Sequence, residues 1–549
     1  MKKCTILLLC SFLFARLFSQ TDLTPADWQA DLRFLQETVH KDYPHLFKKI
    51  TQEKWDAEVE KLHQAIPSLQ PTEILAGFGR TVASFGYGHT DIGWSRSPLK
   101  YHVLPINLYW FSDGIFIEGV HKDYQKILGA KLLKIEGMPV EQAMEAIRPL
   151  IPVENEQYFK SMGVFMLRVP EALHAQKVTK ELKTKITLTL EREGKIFEHT
   201  VAGLDAQRAP TEYGYVIQDG NDWLSARDQK TMPYFLKNIE KIYYFEYLPE
   251  KKTLYVRHSQ IQDDEEPIPA FYKRVFDFIE KNDVERLVLD VRLNGGGNNY
   301  KNKPIVTGII RCEKINQPGK LFVIIGRNTF SACQNLVNEL SNYTNAIFVG
   351  EPTSENINFY GDNRRVELPN SKLQVFLSFA WWQDKPQWEN ADWQAPHLAV
   401  EMSFEDYRSN HDPVLEAALN TSANDVLIDP IGYLRGLFQE KKFEQLQVEA
   451  AQMVKDPKYR FFDFEDKFNQ AGYNYLNRKQ FEPAIQVFQL NTQLFPKSAN
   501  TWDSLGEAHW KSGQMDKATE CYNKAIELDP NGVTGENARN MLSKIKGGK

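Results

Sequence analysis

Cysteine is scarce in this chain. Five occur among 549 residues, and two of them, Cys4 and Cys10, fall in the N-terminal stretch. Cys312, Cys333 and Cys521 are scattered, which excludes a disulfide framework and shows no zinc-ligand spacing. The twelve histidines are scattered too, with no HExxH pair, so no metal and no cofactor is expected. Excess positive charge is also missing. The net charge of -6 argues against nucleic acid as the main partner, because phosphate binding wants a clustered basic surface. Beyond the first twenty residues no apolar run is long enough to cross a bilayer. What is present is ordinary globular composition, 42% apolar and 25% charged. At roughly 100–200 residues per domain the length implies about three to four domains.

The first residues, MKKCTILLLCSFLFARLFSQ, place two lysines before an apolar run from about Ile6 to Phe14. That is the layout of a signal peptide over residues 1–20, too short for a stable bilayer span. A periplasmic or extracellular location follows as an expectation. Cys10 raises lipid attachment as an alternative, but Leu9 stands where such a site wants a small residue.

From Thr24 the pattern is helical: Thr24 can cap, Pro25 takes the first helical position, and Trp28, Leu32, Leu35 and Val39 share a face. Helices opening at Thr51 and near Thr72 complete an N-terminal helical domain over 21–95. Residues 96–205 read as a β-rich module of short strands, with a helix after Gly137 and a hairpin in KITLTLEREGKIFEHTV. The polar segment 206–234 reads as a linker or loop. From 235 to 425, strands such as RLVLDVR and LFVIIG alternate with amphipathic helices, which argues an α/β core with parallel pairing. A helical connector over 426–464 leads to the tail.

The tail, 465–549, repeats itself. Gly472, Tyr475, Ala484, Phe488 and Pro496 recur as Gly506, His509, Ala518, Tyr522 and Pro530. Each pair is 34 apart, the tetratricopeptide period. Such grooves hold peptides or partner proteins, so partner recruitment is the expected role.

Three segments carry candidate chemistry. In LVLDVRLNGGGNN a buried strand runs into Gly295, Gly296 and Gly297, whose N–H groups can face an anionic oxygen. In LFVIIGRNTFSACQNL a strand turns into a helix at Ser331. Its alkoxide is favoured by the helix N-terminus, and the Ala332 N–H is a natural oxyanion donor. In GYGHTD, His89 lies in a glycine-rich turn and can serve as a base near neutral pH. Taken singly, each has a plain reading as a turn, a helix cap or a surface histidine.

In combination, Asp290 to Gly297, Thr329 to Ala332 and Gly350 to Thr353 resemble the D-x-R-x-N-x-G-G, T-x-S-A and G-E-x-T segments of the tail-specific (C-terminal-processing) and tricorn-core serine peptidases. The resemblance covers about residues 235–425. It implies a multidomain α/β protein with a crotonase/ClpP-like peptidase core, an N-terminal helical domain, a degraded PDZ-like β-rich module over 96–205, and C-terminal α-helical tetratricopeptide (TPR) hairpins. The processing branch uses a lysine shortly after the G-E-x-T threonine. Here Asn356 lies about where it would be, and the next lysine is Lys372. The chain is therefore similar to the tricorn-like branch, whose base is a histidine, carried over as His89. That branch also implies a carboxylate, Glu389, before a proline segment. The family's aspartate after that proline is His397 here, and its serine before the histidine is Gly88.

The expectation is a secreted serine peptidase. Ser331 attacks a peptide carbonyl, His89 takes the proton, Glu389 orients His89, and N–H groups of Gly295 or Gly296 and of Ala332 hold the oxyanion. The alternative is a non-catalytic peptide- or ligand-binding protein on the same scaffold. Cys333, two residues past Ser331 on a helix, points elsewhere and reads as packing.

Overall fold

A computed structural model of the chain describes residues 23–94, 99–205, 209–218, 220, 222–388 and 391–547. The stretch expected to be a signal peptide and Glu389 lie outside the described residues.

Three helices, Pro25–Asp42, Gln52–Ala65 and Pro71–Ala83, open the chain. Thr24 caps the first through a reciprocal pair with Asp27, and Thr51 caps the second through the Lys54 N–H. Their apolar faces do not form a separate core. Trp28, Trp55 and Phe78 share one cluster with Ile117, Leu132, Leu188 and Val201 of the β-rich module. That module is a seven-stranded sheet to which the segment expected as a linker adds an edge strand. Trp223–Ser225 pairs antiparallel with Gly114–His121 because Trp223 is buried and the Ser225 hydroxyl donates to buried Glu118. Two helices, Glu156–Met166 and Pro170–Ala175, also interrupt the run expected to be mainly strands.

The α/β core is a six-stranded sheet. The hairpin Tyr243–Leu248/Thr253–His258 leads into parallel strands Arg286–Asp290, Leu321–Ile325, Ile347–Gly350 and Leu398–Ala399. Of these, Arg286–Asp290, Leu321–Ile325 and Ile347–Gly350 are nearly wholly buried, with helices Ile268–Lys281, Lys303–Arg311 and Ala332–Tyr343 packed on the sheet. Hence they read as continuous apolar runs rather than alternating ones. A second hairpin, Phe359–Glu367/Gln374–Trp382, leaves the core and pairs with Asp91–Ile92, aligning Asp91 with Phe376. This pairing brings the GYGHTD turn across to the core.

Seven helices from Pro430 to Lys546 form the tail. A Cβ at Gly472 would meet the Phe488 ring at 2.5 Å, and one at Gly506 the Tyr522 ring at 3.0 Å. The repeated small residue therefore lets paired helices close on an aromatic ring. Among the described residues no helix is long and apolar enough to cross a membrane.

Candidate active site

The strand Leu321–Ile325 ends against a turn that several side chains pin in place. Thr329 Oγ1 donates to the Val291 carbonyl at 3.0 Å and accepts the Gly326 N–H at 3.0 Å, and the Phe330 N–H reaches the Asn294 carbonyl at 3.1 Å. Arg327 is clamped by Glu351. Just past the end of the neighbouring strand, Arg292 bridges Asp290 at 2.8 Å and Asp412 at 2.9 Å. The charged positions of both motifs are therefore scaffolding. What they hold is Ser331 at φ 55° and ψ -129°, directly before the helix Ala332–Tyr343. A non-glycine residue there costs on the order of 1–3 kcal/mol and persists only where its surroundings enforce it. A strained strand-to-helix turn is one way to lift a nucleophilic hydroxyl clear of the backbone.

Ser331 Oγ meets His89 Nε2 at 2.9 Å. The imidazole lies between two aromatic rings, Phe330 at 4.6 Å and Phe359 at 6.0 Å between centroids, both nearly parallel to it. Its turn is tied on every side. Gly88 N–H donates to Glu154 at 2.7 Å, Tyr158 OH donates to the Gly88 carbonyl at 3.0 Å, and Asn363 Nδ2 donates to the His89 carbonyl at 3.1 Å. A Cβ at Gly88 would lie 2.7 Å from Tyr158 and 2.8 Å from Phe330. That close fit is why glycine rather than serine precedes this histidine.

The carboxylate beside His89 is Glu355, which sequence reasoning passed over. Its Oε1 lies 3.4 Å from Nδ1, an ion-pair distance, and neither of these two atoms has a hydrogen-bond partner among the described residues. Its Oε2 accepts the Ser331 N–H at 2.6 Å. Glu355 is wholly buried. Burial pushes its carboxyl up, against the pull of His89, and nearby Glu154 pushes it further. Burial alone would lower the His89 pKa, but Glu355, with smaller help from Glu154 and Asp362, outweighs it and holds the imidazole above its ordinary value.

The glycine turn packs against Ser331. At Gly296, φ is 98°, and a Cβ would lie 2.6 Å from Ser331 Cβ and 2.9 Å from the Ala332 nitrogen, so only glycine leaves that space open. The Gly296 N–H is engaged by Asn294 Oδ1 at 2.9 Å, which removes it as an oxyanion donor. The N–H groups of Gly295 and Ala332 have no acceptor among the described residues.

Asn356, at the place where the processing branch has its lysine, is a buried connector. Its Oδ1 accepts from Lys49 Nζ at 2.7 Å, and its Nδ2 reaches the carbonyls of Glu154 and Asp392. Lys49 also donates to the Gly86 carbonyl and pairs with Glu154 at 3.4 Å. Lys372 is exposed and sits 3.9 Å from Glu367. His397 joins the sheet, exchanging hydrogen bonds with Phe348. Cys333 is fully buried and burial pushes its thiol up. Among the described residues no three His, Cys, Asp or Glu side chains group as metal ligands would. Neither Glu355 nor the Lys49–Glu154 pair follows a spacing rule, and the one local sign was an acidic residue directly after T-S in the motif loop.

Residues 499–531 match the tetratricopeptide repeat. Superkiller protein 3 of Schizosaccharomyces pombe is 41% identical over 68 residues, 12% of this chain. The chain spans about 5% of the length of that curated relative. Among solved structures, mature CPAF complexed with lactacystin is 14% identical, with 72% of this chain and 99% of that one covered at a TM-score of 0.51. A crystal structure of a CPAF mutant is 12% identical, with 72% and 98% covered at a TM-score of 0.50. Over nearly three quarters of its length the chain thus shares the fold of CPAF, with a tetratricopeptide repeat beyond it.

Proposed function

We propose that this chain is a serine peptidase that hydrolyses peptide bonds through an acyl-enzyme on Ser331. The carrying observation is the 2.9 Å contact of His89 Nε2 with Ser331 Oγ, on a strained turn facing a glycine loop. Ser331 Oγ adds to the substrate carbonyl while His89 takes its proton. Glu355 stabilises the imidazolium formed in that step. Free N–H groups at Ala332 and Gly295 receive the oxyanion. His89 then returns the proton to the leaving amine, and water, deprotonated by the same imidazole, releases the acyl group. Glu355 thereby takes the place that sequence reasoning gave to Glu389.

The leader-like N-terminus supports secretion to the periplasm or beyond, and the repeat tail supports recruitment of a protein partner. A fluorophosphonate probe tests the chemistry. Labelling at Ser331, lost in Ser331→Ala and slowed at least a hundredfold in His89→Ala, is expected. Folded protein that takes no label refutes the reading and favours a non-catalytic binder. Lactacystin, present in the CPAF complex, is a second probe expected to block labelling.

A further inference from the structure

Between the α/β core and the first tail helices lies a pocket of about 930 Å³, within the size range of clefts that take a whole ligand. Lys385 forms part of its wall and is only 7% exposed. Its Nζ donates to Ser341 Oγ at 2.6 Å and to Gln394 Oε1 at 3.3 Å, and both residues line the same pocket. Both partners are neutral. The adjacent Asp384 accepts instead from Asn335 and Asn338, at 2.6 Å and 3.3 Å. Among the described residues no carboxylate stands within ion-pair distance of the amine. A buried ammonium without a counter-charge is costly. Burial accordingly lowers its pKa to about 8, with Asp384 opposing. His397, on the same wall, adds no charge, because burial and Lys385 hold its pKa down to about 4.

The rest of the pocket has the opposite sign. Asp392, Asp429, Asp463 and Asp466 line it together with, among the described residues, only two further cations, Lys467 and Arg435. Lys467 is partly committed, 3.7 Å from Asp466 and 3.6 Å over the Trp388 ring. A ligand that satisfies both regions carries an anion at one end and a cation further along. A small acid would fill only the Lys385 end.

We propose that this pocket binds the C-terminal carboxylate of a short peptide on the Lys385 ammonium and the Ser341 hydroxyl, with a basic residue of that peptide toward the aspartates. The site does not involve Ser331 and stands apart from the proposed hydrolysis.

The test uses full-length Ser331→Ala protein, titrated calorimetrically with acetyl-Lys-Ala-Ala as free acid, with the same peptide as C-terminal amide, and with acetate. The free acid should bind at least tenfold more tightly than the amide or acetate. Lys385→Met should bring the acid down to the amide. Ser341→Ala, at a half-buried position, should weaken the acid at least threefold and covers the case in which Lys385→Met fails to fold. Affinity for the acid should fall about tenfold from pH 7 to pH 9 as Lys385 loses its proton. Equal affinities for acid and amide overturn the proposal, and acetate binding as tightly as the peptide overturns the peptide assignment. Fluorophosphonate labelling of Ser331 in a Lys385→Met protein reports separately on the peptidase reading.

Discussion

Replacing Glu355 with glutamine isolates the electrostatic part of the proposed triad. The side chain keeps its shape, and its amide oxygen can still accept the Ser331 N–H now held at 2.6 Å. What disappears is a negative charge 3.4 Å from His89 Nδ1. At an effective dielectric near 20, two unit charges at that distance attract by about 5 kcal/mol. That is an upper bound, because burial raises the Glu355 pKa and leaves the carboxyl partly protonated near neutrality. A loss of about 2–4 kcal/mol of transition-state stabilisation remains, or roughly 30- to 1000-fold in kcat/KM. The pH profile must change as well. In the native protein Glu355 outweighs burial and holds His89 above its ordinary value, so the acidic limb of kcat/KM should lie above the ordinary histidine range. Without that charge, burial is opposed only by Glu154 and Asp362, and the limb moves to lower pH. Initial rates on a fluorogenic peptide from pH 5 to pH 9 read both effects. A limb that stays in place together with a rate loss under tenfold refutes the assignment of Glu355 as the partner of His89.

Other changes follow from the same contacts. Gly296→Ala puts a methyl group 2.6 Å from Ser331 Cβ and in front of the Ala332 N–H; kcat should fall at least a hundredfold while far-ultraviolet circular dichroism stays native. His258 and His397 are buried with pKa values lowered to about 4. Each favours the fold fully above pH 6.5 and loses that contribution, about 3 kcal/mol, as pH falls toward 4. Urea unfolding at pH 7 and pH 4.5 should show the drop, and His258→Gln should shrink it. Gly472→Val drives a side chain into the Phe488 ring; a calorimetric scan should show the tail melting earlier, with peptide hydrolysis at 25 °C unchanged.

Local structure was readable where its causes are local. The caps at Thr24 and Thr51, the buried strands around Leu289 and Val323, and the 34-residue spacing of Gly472 and Gly506 each follow from nearby residues. Ser331 was readable for the same reason, since a strand, a pinned turn and a helix are adjacent in the chain. The setting of His89 was not. The turn that carries it is held by Asp91 aligned with Phe376, by Thr90 donating to Ser378 at 2.8 Å, and by Glu154 on the Gly88 N–H. These partners come from a hairpin that leaves the core and from the β-rich module, and no periodicity near residue 89 encodes them. Glu355 is hidden in the sequence for a related reason: a carboxylate in that motif loop gains meaning only once an imidazole from 266 positions earlier stands beside it. Lys49 carries the argument one step further. Its amine joins the helical region, through Glu154, to the β-rich module and, through Asn356, to the core, all within the network around the histidine turn. A histidine suspended between three regions is in place only when all three have packed. Hydrolysis by this site is therefore expected to vanish on loosening of that junction, before the α/β core itself unfolds.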